Sequence, residues 1–314
     1  MTFDTRIEPF GKATLAEAAA LIAAGEPVAV ATETVYGLAA DATSGEAVAR
    51  IYVAKGRPAF NPLIVHVAGV LEATDYAEFS PAVLALAERF WPGPLTMVLP
   101  SRTDSPIAAL VTAGLPTIAL RAPAHPAMRA LLAATGKPLA APSANASGRI
   151  SATRAGHVAS SLAGRIVLIL DSGATLHGLE STIVAVEPGR LRLLRPGPIS
   201  AGQLQRASGL PVIVTDDGRI EAPGQLASHY APRQPVRLDA TAAAPGEWLI
   251  GFGPVPGDDT LSARGDLVEA AARLFDALHR ADASGALAIA VAPIPHEGLG
   301  AAINDRLCRA AAPR

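Results

Sequence analysis

Cysteine, lysine and aromatic residues are all scarce in this chain of 314 residues. The single cysteine, Cys308, excludes an intrachain disulfide, and a lone thiol near a chain end does not indicate a catalytic role. Phe, Trp and Tyr make up 4% of the residues, which is few for a surface that binds single-stranded nucleic acid by base stacking. No apolar run approaches the roughly 18 residues needed to span a bilayer, so the sequence predicts no membrane partner.

Motifs of the common nucleotide, metal and nucleophile sites are missing as well. The sequence contains neither GxGxxG nor GxxxxGKS/T, and it contains no CxxC or HExxH. Its seven histidines lack the spacing of metal ligands, so we predict no metal site built from protein residues. Ser143 does not lie in a GxSxG elbow, which weighs against a covalent serine intermediate.

Acidic residues are missing from two long stretches in which cations do occur. Residues 47–71 contain no Asp or Glu but hold Arg50, Lys55 and Arg57, and residues 105–170 hold six cations without one acid. The N-terminal two thirds of the chain carry 17 cations and 15 acids, whereas the remainder carries 9 and 13. Cations without partners nearby in the sequence predict an anion site in the N-terminal part.

Length and composition predict two domains. Residues 1–215 form the larger domain, residues 216–235 form a polar linker rich in Gly and Pro, and residues 236–314 form a small α/β unit. Strands and helices of the larger domain are interleaved without a strict βαβ cycle, which favours a twisted mixed sheet. The N-terminus has neither the basic segment nor the apolar core of a secretory signal, so we expect a cytoplasmic location.

Hydrophobic periodicity predicts the individual elements. The predicted helices cover residues 12–25, 46–53, 80–90, 125–134, 267–281 and 298–311. The predicted strands cover residues 27–31, 63–67, 97–99, 117–120, 139–141, 166–170, 183–186, 191–194, 212–214, 248–251 and 286–291. Three of these strands lead directly into Thr32, Arg121 and Arg195, and ligands commonly bind at such strand ends.

Each polar feature has a structural explanation besides a functional one. Lys55 and Arg57 could lie at a solvated helix end, where cations interact favourably with the dipole. The loop at Ser143 could be ordinary turn chemistry, His66 could be a core histidine and Tyr230 could be a packing anchor. Several cations at the ends of elements, in a region poor in acids, nevertheless favour one shared anion pocket.

Eight segments follow one another along nearly the whole chain, namely TETVYGLAADA, KGRPAFNPLIVHV, FWPGPLTMVL, LRAPAHP, APSANASG, GLESTIVAV, LLRPGPIS and SHYAP. Together they resemble the threonylcarbamoyl-AMP synthase family in its two-domain form. The resemblance implies an α/β fold, with a YrdC-like twisted mixed sheet and helices around a basic cavity. It also implies a small Rossmann-like α/β C-terminal domain joined by an extended linker, matched mainly by position and class.

The activity implied by the resemblance is that of a nucleotidyltransferase, L-threonylcarbamoyladenylate synthase. It would make the adenylate and pyrophosphate from ATP, L-threonine and bicarbonate, with Mg²⁺ carried on ATP and no organic prosthetic group. The product would pass to a tRNA threonylcarbamoyl transferase complex that modifies an adenosine beside the anticodon. Two alternatives stay open: an RNA-binding module, with weak and salt-sensitive RNA affinity, and a related carbamoyl-transfer enzyme.

Site residues follow from the same resemblance. The family's Lys, Arg, Ser and Asn tetrad falls on Lys55, Arg57, Ser143 and Asn145. The expected catalytic residues are Lys55 and Arg57, and the expected ATP-binding residues are Lys55, Arg57, Ser143, Asn145, Arg195 and Tyr230. The expected threonine-binding residues are Thr34, Tyr36, His66, Arg121 and Ser181. Arg121 would hold the carboxylate with two hydrogen bonds, and Tyr230 would close over the site as the linker folds back.

Overall fold

A large mixed sheet organises the N-terminal part of the protein. The computed structural model describes residues 3–214 and 220–313. The strands of this sheet are β1 (Arg6–Pro9), β2 (Val28–Ala31), β3 (Tyr36–Asp41), β4 (Ile64–His66), β5 (Leu95–Pro100), β6 (Thr117–Arg121), β7 (Leu139–Ala140), β8 (Leu168–Asp171), β9 (Thr182–Glu187), β10 (Arg190–Arg195) and β11 (Val212–Val214). Their order across the sheet is β1-β8-β2-β3-β7-β4-β6-β5-β9-β10-β11. Neighbouring strands are parallel in five pairs and antiparallel in five, which confirms the predicted mixed sheet.

Helices pack on both faces of this sheet. They are α1 (Lys12–Ala23), α2 (Gly45–Lys55), α3 (Val70–Ala73), α4 (Pro81–Phe90), α5 (Ala109–Thr112), α6 (Pro126–Thr135), α7 (Ala155–Leu162) and α8 (Ala201–Ser208). In β2, Val28 and Val30 join an apolar cluster with α1 and α6, whereas Ala29 and Ala31 join the larger core on the other face. The alternation follows from the two-residue period of a strand and explains why every residue of β2 is buried.

Helix α2 has local start and stop signals that place two predicted site residues. The hydroxyl of Ser44 accepts a hydrogen bond from the amide of Ala47 at 3.2 Å and begins the helix. Gly56 ends it in the left-handed conformation, with φ of 59°. Lys55 therefore occupies the last helical position, and Arg57 follows the cap.

The C-terminal part contains a second sheet. Its strands are β12 (Val236–Arg237), β13 (Glu247–Gly251), β14 (Asp259–Thr260) and β15 (Ala288–Val291), in the order β12-β15-β13-β14. All three neighbouring pairs are parallel. The helices α9 (Leu267–Ala283) and α10 (Leu299–Ala311) supply most of the apolar cluster that packs with this sheet. The predicted small α/β unit is confirmed, and its Rossmann-like character stays a prediction.

Apolar packing joins the two parts. Val35, Ile150 and Leu179 of the N-terminal part belong to the same buried cluster as the residues of α9 and α10. Residues 220–235, between β11 and β12, contain no helix or strand. The predicted boundary between residues 215 and 216 lies outside the described residues, so the domain limits stay predictions.

Several short elements were not predicted. Strand β3 has the sequence YGLAAD, whose Gly and Ala residues do not favour a strand by propensity, and it forms between β2 and β7. The short helices α3 and α5 and the two-residue strands β12 and β14 are too brief for a periodic signal. Within the described ranges, no helix has both the length and the apolar character to cross a membrane.

Candidate active site

An internal cavity lies where the ends of several strands meet the segment that links the two domains. The volume that the centres of water-sized molecules can occupy in it is about 40 Å³. Its walls are formed by Thr32, Thr34, Val35, Gly37, Arg57, Ile64, His66, Arg121, Ala141, Pro142, Ser143, Glu180, Ser181, Arg195, Pro223, Gly224, His229 and Tyr230. Eight predicted site residues are thus brought together: Thr34, Arg57, His66, Arg121, Ser143, Ser181, Arg195 and Tyr230.

Strand register places His66 beside Arg121. Strands β4 and β6 are parallel neighbours, and His66 is the register partner of Arg121. Burial, together with the positive charge of Arg121, lowers the pKa of His66 to about 3, so its ring is neutral at physiological pH. His66 and Arg121 are far apart in the sequence, and they become neighbours because β4 and β6 pair in the sheet.

The guanidinium of Arg121 is held in one orientation by three groups. It donates to the Gly93 carbonyl at 3.2 Å and to the Thr34 hydroxyl at 2.9 Å, and it forms an ion pair with Glu33 at 2.7 Å. Burial alone would raise the pKa of Glu33, but Arg121 outweighs this effect and lowers it to about 2. We call this buried unit the Arg121–Glu33 pair.

Thr32 shapes the turn that carries Glu33 and Thr34. Its hydroxyl donates to the Val35 carbonyl at 2.7 Å and accepts from the amides of Thr34 and Val35 at 3.2 Å. It also lies 2.8 Å from the Thr34 hydroxyl. The local turn therefore presents the Thr34 side chain to Arg121, and both threonine side chains are buried.

Lys55, Arg57 and Arg195 differ from Arg121, and we call them the acid-free cations. In residues 3–214 and 220–313, no carboxylate forms an ion pair with any of the three; their hydrogen bonds to main-chain carbonyls do not neutralise the charge. Burial lowers the pKa of Lys55 well below its usual range, and burial lowers that of Arg57 to about 10. The pKa of Arg195 is also lowered by burial. A bound anion would relieve this cost.

Each acid-free cation is nevertheless positioned. Lys55 Nζ donates to the carbonyls of Ser143 and Asn145, which fixes the loop after β7. Arg57 donates to the carbonyls of Asn61 and Pro62 at 3.1 and 2.8 Å. These bonds join the loop after α2 to itself and to the loop after β7.

Arg195 connects the end of β10 to the start of β9 and to the linker. Its guanidinium donates to the Ser181 carbonyl at 3.0 Å, to the Ser181 hydroxyl at 3.1 Å and to the Pro223 carbonyl at 3.2 Å. The Ser181 hydroxyl also lies 2.7 Å from that of Thr96. Arg195 and Ser181, which were predicted to serve different substrates, are therefore in direct contact.

Three predicted residues, Tyr36, Lys55 and Asn145, lie behind the cavity wall. The Tyr36 hydroxyl donates to the Gly173 carbonyl at 2.8 Å and accepts from the Ser172 amide at 3.1 Å. The Asn145 amide donates to two main-chain carbonyls of its own loop, both at 2.9 Å. The Tyr36 hydroxyl is thus engaged by the loop after β8, and the threonine-pocket role of this residue stays a prediction.

The linker segment closes one side of the cavity. Tyr230 is 1% exposed, although it lies in a stretch whose composition predicted a plain linker. Its φ of 61° is uncommon for a residue other than glycine. Gly224, with φ of 88°, passes so close that an added Cβ would lie 2.7 Å from the Tyr230 hydroxyl. The Ala231 amide donates to the Gly148 carbonyl at 2.9 Å, which ties the segment to the N-terminal domain.

Sequence reasoning missed Glu180 and His229 of the cavity wall, and also Glu33, which lies between the wall residues Thr32 and Thr34. Glu33 and Glu180 lie inside the quoted segments TETVYG and GLEST, but their ion-pair partners are distant in the sequence. His229 precedes Tyr230, and burial together with the nearby cations lowers its pKa well below the usual value. The sequence did show that these acids are adjacent to predicted site residues, and this position could have marked them as candidates. Only the fold shows which cation forms an ion pair with each acid.

Two family models match the chain. The first, described as "Telomere recombination", matches residues 20–197. The second, described as "Threonylcarbamoyl-AMP synthase, C-terminal domain", matches residues 199–312. Together they span the cavity, the linker and both sheets except strand β1.

Curated proteins and a solved structure are similar over nearly the full length. A threonylcarbamoyl-AMP synthase of Bacillus subtilis is 40% identical, with 96% of this chain and 93% of that protein covered. A threonylcarbamoyl-AMP synthase of Pyrococcus abyssi is also 40% identical, with 93% and 92% covered. The crystal structure of P. abyssi Sua5 complexed with L-threonine matches with a TM-score of 0.88 and 35% identity, over 99% of this chain and 98% of that one.

Proposed function

This chain belongs to the threonylcarbamoyl-AMP synthase family, and we propose that its cavity joins L-threonine, bicarbonate and ATP into L-threonylcarbamoyl-adenylate and pyrophosphate. The enzyme is a nucleotidyltransferase. The observation that carries the proposed site is that one cavity combines a neutralised arginine, in the Arg121–Glu33 pair, with the acid-free cations at or directly behind its wall. These two arrangements suit an amino acid and a polyanion, respectively.

The Arg121–Glu33 pair is proposed to hold threonine. Arg121 has five N–H donors; Gly93 and Thr34 accept from two of them, and Glu33 pairs with the second terminal nitrogen at 2.7 Å without forming a hydrogen bond. At least one donor on each terminal nitrogen is left for a carboxylate, which is the geometry of a bidentate contact. Because the pair is neutral overall, it matches a zwitterionic amino acid, and the similar P. abyssi Sua5 has been crystallised in complex with L-threonine.

The remaining groups of the proposed threonine pocket are hydroxyls and an imidazole. Thr34 and Ser181 present hydroxyls that can both donate and accept hydrogen bonds. His66 is neutral at physiological pH, because its pKa is lowered to about 3, and it can offer hydrogen bonds without repelling the threonine ammonium group. This arrangement orients the amine without adding charge.

The acid-free cations are proposed to hold bicarbonate or the carbamate and the phosphates of ATP. Lys55 uses two of its three N–H donors on carbonyls and keeps one for an anion. Binding of a polyanion restores the ammonium form that burial disfavours, so charge and ligand stabilise each other. Lys55 and Arg57 are the proposed catalytic residues, while Ser143, Asn145, Arg195 and Tyr230 complete the proposed ATP site.

The chemistry requires three anionic groups to meet. In one order of steps, the threonine amine attacks the carbon of bicarbonate and water leaves, which forms the carbamate. A carbamate oxygen then attacks the α-phosphorus of ATP, and pyrophosphate leaves with the electron pair of the broken P–O bond. Whatever the order, fixed cations offset the repulsion and hold the reacting groups together.

Magnesium is proposed to arrive on the phosphates of ATP. The carboxylate of the cavity wall, Glu180, is already engaged by Arg306, and Glu33, next to the wall, is engaged by Arg121. Among the described residues, no group of three His, Cys, Asp or Glu side chains could hold a metal ion. These residues do not fit a protein-built Mg²⁺ cage.

The linker is proposed to act as a lid. Tyr230 and Gly224 belong to the cavity wall, so exchange of a nucleotide requires the segment at residues 220–235 to move. Tyr230→Ala is expected to raise KM for ATP about tenfold through lost closure and packing, with KM for threonine as the internal reference. An unchanged KM for ATP would remove the lid assignment.

Product transfer extends the proposal beyond the cavity. The adenylate is a mixed anhydride that water can hydrolyse, so rapid passage to a tRNA threonylcarbamoyl transferase complex in the cytoplasm is expected. Direct contact with RNA would give an affinity that falls steeply with salt. If RNA binds this way and ATP does not displace it, an RNA-binding function stands beside the cavity.

The test of the proposed reaction is a substrate-omission experiment. Purified protein with ATP, L-threonine and bicarbonate should release pyrophosphate and form a product with the mass of threonylcarbamoyl-adenylate. Omitting any one substrate should abolish the product. Pyrophosphate release without dependence on threonine would contradict the assignment, and a carbamoyl-transfer enzyme would instead require a carbamoyl donor.

A further inference from the structure

Arg306 of helix α10 belongs to the C-terminal domain, but its guanidinium contacts the N-terminal one. The side chain is completely buried. Nε donates to a carboxylate oxygen of Glu180 at 3.0 Å, and a terminal nitrogen donates to the Pro196 carbonyl at 2.8 Å. Asp305 accepts from the same terminal nitrogen at 2.8 Å, and the guanidinium carbon lies 5.4 Å from the ring centre of Tyr230.

Both acceptors in the N-terminal domain adjoin residues of the cavity wall. Glu180 lines the cavity and precedes Ser181, while Pro196 follows Arg195. Arg195 donates to the Ser181 carbonyl at 3.0 Å and to its hydroxyl at 3.1 Å. Arg306 and Arg195 therefore join the same two segments, and Arg306 does so without belonging to the cavity wall.

These two segments are packed so closely that neither can shift alone. A Cβ on Gly197 would lie 2.5 Å from the Thr182 amide nitrogen and 2.8 Å from the Glu180 carbonyl oxygen. The second carboxylate oxygen of Glu180 accepts a hydrogen bond from the Ser151 hydroxyl. A displacement of Glu180 would consequently be transmitted to Ser181 and to the Arg195 segment.

We infer that Arg306 is a positioning residue, through which the C-terminal domain holds Ser181 and Arg195 in the arrangement that binds threonine and nucleotide. This inference rests on the proposed function. A buried ion pair between domains is a poor source of stability compared with well-packed apolar groups, so docking alone does not account for the charge. Removing the guanidinium leaves Glu180 buried without its cation, and the carboxylate must then move or take up a proton.

The test compares KM with kcat in Arg306→Met, which keeps an unbranched apolar side chain and removes the charge. Pyrophosphate release is measured against threonine and ATP at a temperature where circular dichroism shows the variant to be folded. We expect KM for threonine to rise at least about tenfold, with a fall in kcat, because the displaced wall misplaces its groups. A purely structural role would lower only the active fraction, so kcat would fall and both KM values would stay unchanged.

Three further variants complete the test. Arg273→Met removes an ion-paired arginine of the C-terminal domain that pairs with Asp259 and Glu269, and it should leave both KM values within about twofold. Arg306→Lys keeps the positive charge but has fewer N–H donors, so its KM for threonine should lie between those of the wild-type protein and Arg306→Met. If Arg306→Met does not fold, Arg306→Lys is compared with the wild-type protein instead. In a Glu180→Gln background, the effect of Arg306→Met on KM should shrink, because no buried carboxylate is left unpaired.

The outcomes that overturn the inference are an unchanged KM for threonine in the folded Arg306→Met protein or fully additive effects with Glu180→Gln. A wild-type protein that releases no pyrophosphate would instead contradict the proposed reaction. Calorimetric titration with threonine separates the two failures, because it compares affinity in the wild-type and variant proteins without turnover.

Discussion

The Arg121–Glu33 pair and the acid-free cations are buried at the wall of the same cavity or directly behind it, but their charges are compensated differently. Arg121 has a carboxylate at 2.7 Å, whereas Arg57 donates to the carbonyls of its own loop and pairs with no carboxylate among the described residues. A pre-formed neutral pair is oriented before any ligand arrives, and it suits a zwitterion. A set of basic side chains without a carboxylate partner favours a ligand that brings several negative charges. We therefore assign threonine to the region of the Arg121–Glu33 pair and ATP to the region of the acid-free cations.

The largest expected effect comes from removing an acid-free cation. Lys55→Ala deletes the ammonium group that joins two carbonyls of the loop after β7 and keeps one donor for an anion. We expect kcat/KM for pyrophosphate release to fall at least about 100-fold, as for loss of one preorganised donor to a developing anion. Lys137→Ala, at an exposed lysine, is the matched control. Near-normal turnover by Lys55→Ala would contradict the proposal that the acid-free cations bind the reacting anions.

A more selective effect is expected from Arg121→Lys. Lysine keeps the charge beside Glu33 but cannot replace the planar donors that serve Gly93, Thr34 and a carboxylate at once. We expect KM for threonine to rise about 10- to 100-fold, while KM for ATP changes less than about twofold. The reciprocal variant, Arg57→Lys, should affect ATP more than threonine. If both variants changed the KM values for threonine and ATP equally, the proposal that the two substrates bind in separate regions would be contradicted.

Acid stability provides a smaller and independent comparison. Because the folded state lowers the pKa of Glu33 from 4.5 to about 2, its carboxylate stabilises the fold above about pH 4.5, and this contribution is lost as the pH falls towards 2. The full contribution corresponds to roughly 3 kcal/mol. In urea unfolding at several pH values, the stability difference between the wild-type protein and Glu33→Gln should therefore narrow on acidification.

The control for this measurement is an ion pair at the surface. Asp104 lies at 2.9 Å from Arg102, and its side chain is 68% exposed. Asp104→Asn should change the free energy of unfolding little at any pH, because solvent screens the pair. If Glu33→Gln also shows no pH-dependent difference, the Arg121–Glu33 pair does not have the strength assigned to it.

The smallest effect is an expected absence of titration at His66. Burial and Arg121 lower the pKa of this ring to about 3, so its resonances should stay constant between about pH 5 and 8. Nuclear magnetic resonance checks this, with His66→Gln identifying the signal. A titration step in that range would mean that the region around Arg121 carries a second charge and is not neutral.

Local sequence signals predicted much of the scaffold. The boundaries of α2 follow from Ser44 and Gly56, and the periodic apolar residues of α9 and α10 predicted both C-terminal helices. Strand β3 was not predicted because its Gly and Ala residues have a low propensity for strands. The segment forms a strand because the neighbouring strands β2 and β7 supply its hydrogen bonds. The linker was predicted from composition. Tyr230 was interpreted either as a packing anchor or, through the family resemblance, as a residue that closes over the site, and its burial is compatible with both.

The site residues were also predicted only in part. Eight of them line one cavity, which the strand ends already suggested, and Lys55 lies directly behind it. Their individual roles towards ATP and threonine stay predictions. Tyr36 was assigned by its place in a motif, but whether its hydroxyl faces the cavity or the loop after β8 depends on the strand's direction in the sheet.

The amino-acid sequence by itself determined the family, the two acid-poor stretches and the positions of the cations at the ends of elements. Only the tertiary structure decided which cations are neutralised. Arg121 meets Glu33 and Arg306 meets Glu180 through strand register and domain docking, over long separations in the chain. Charge pairing depends on distances of a few ångströms after folding, and composition and local periodicity carry no information about such distances.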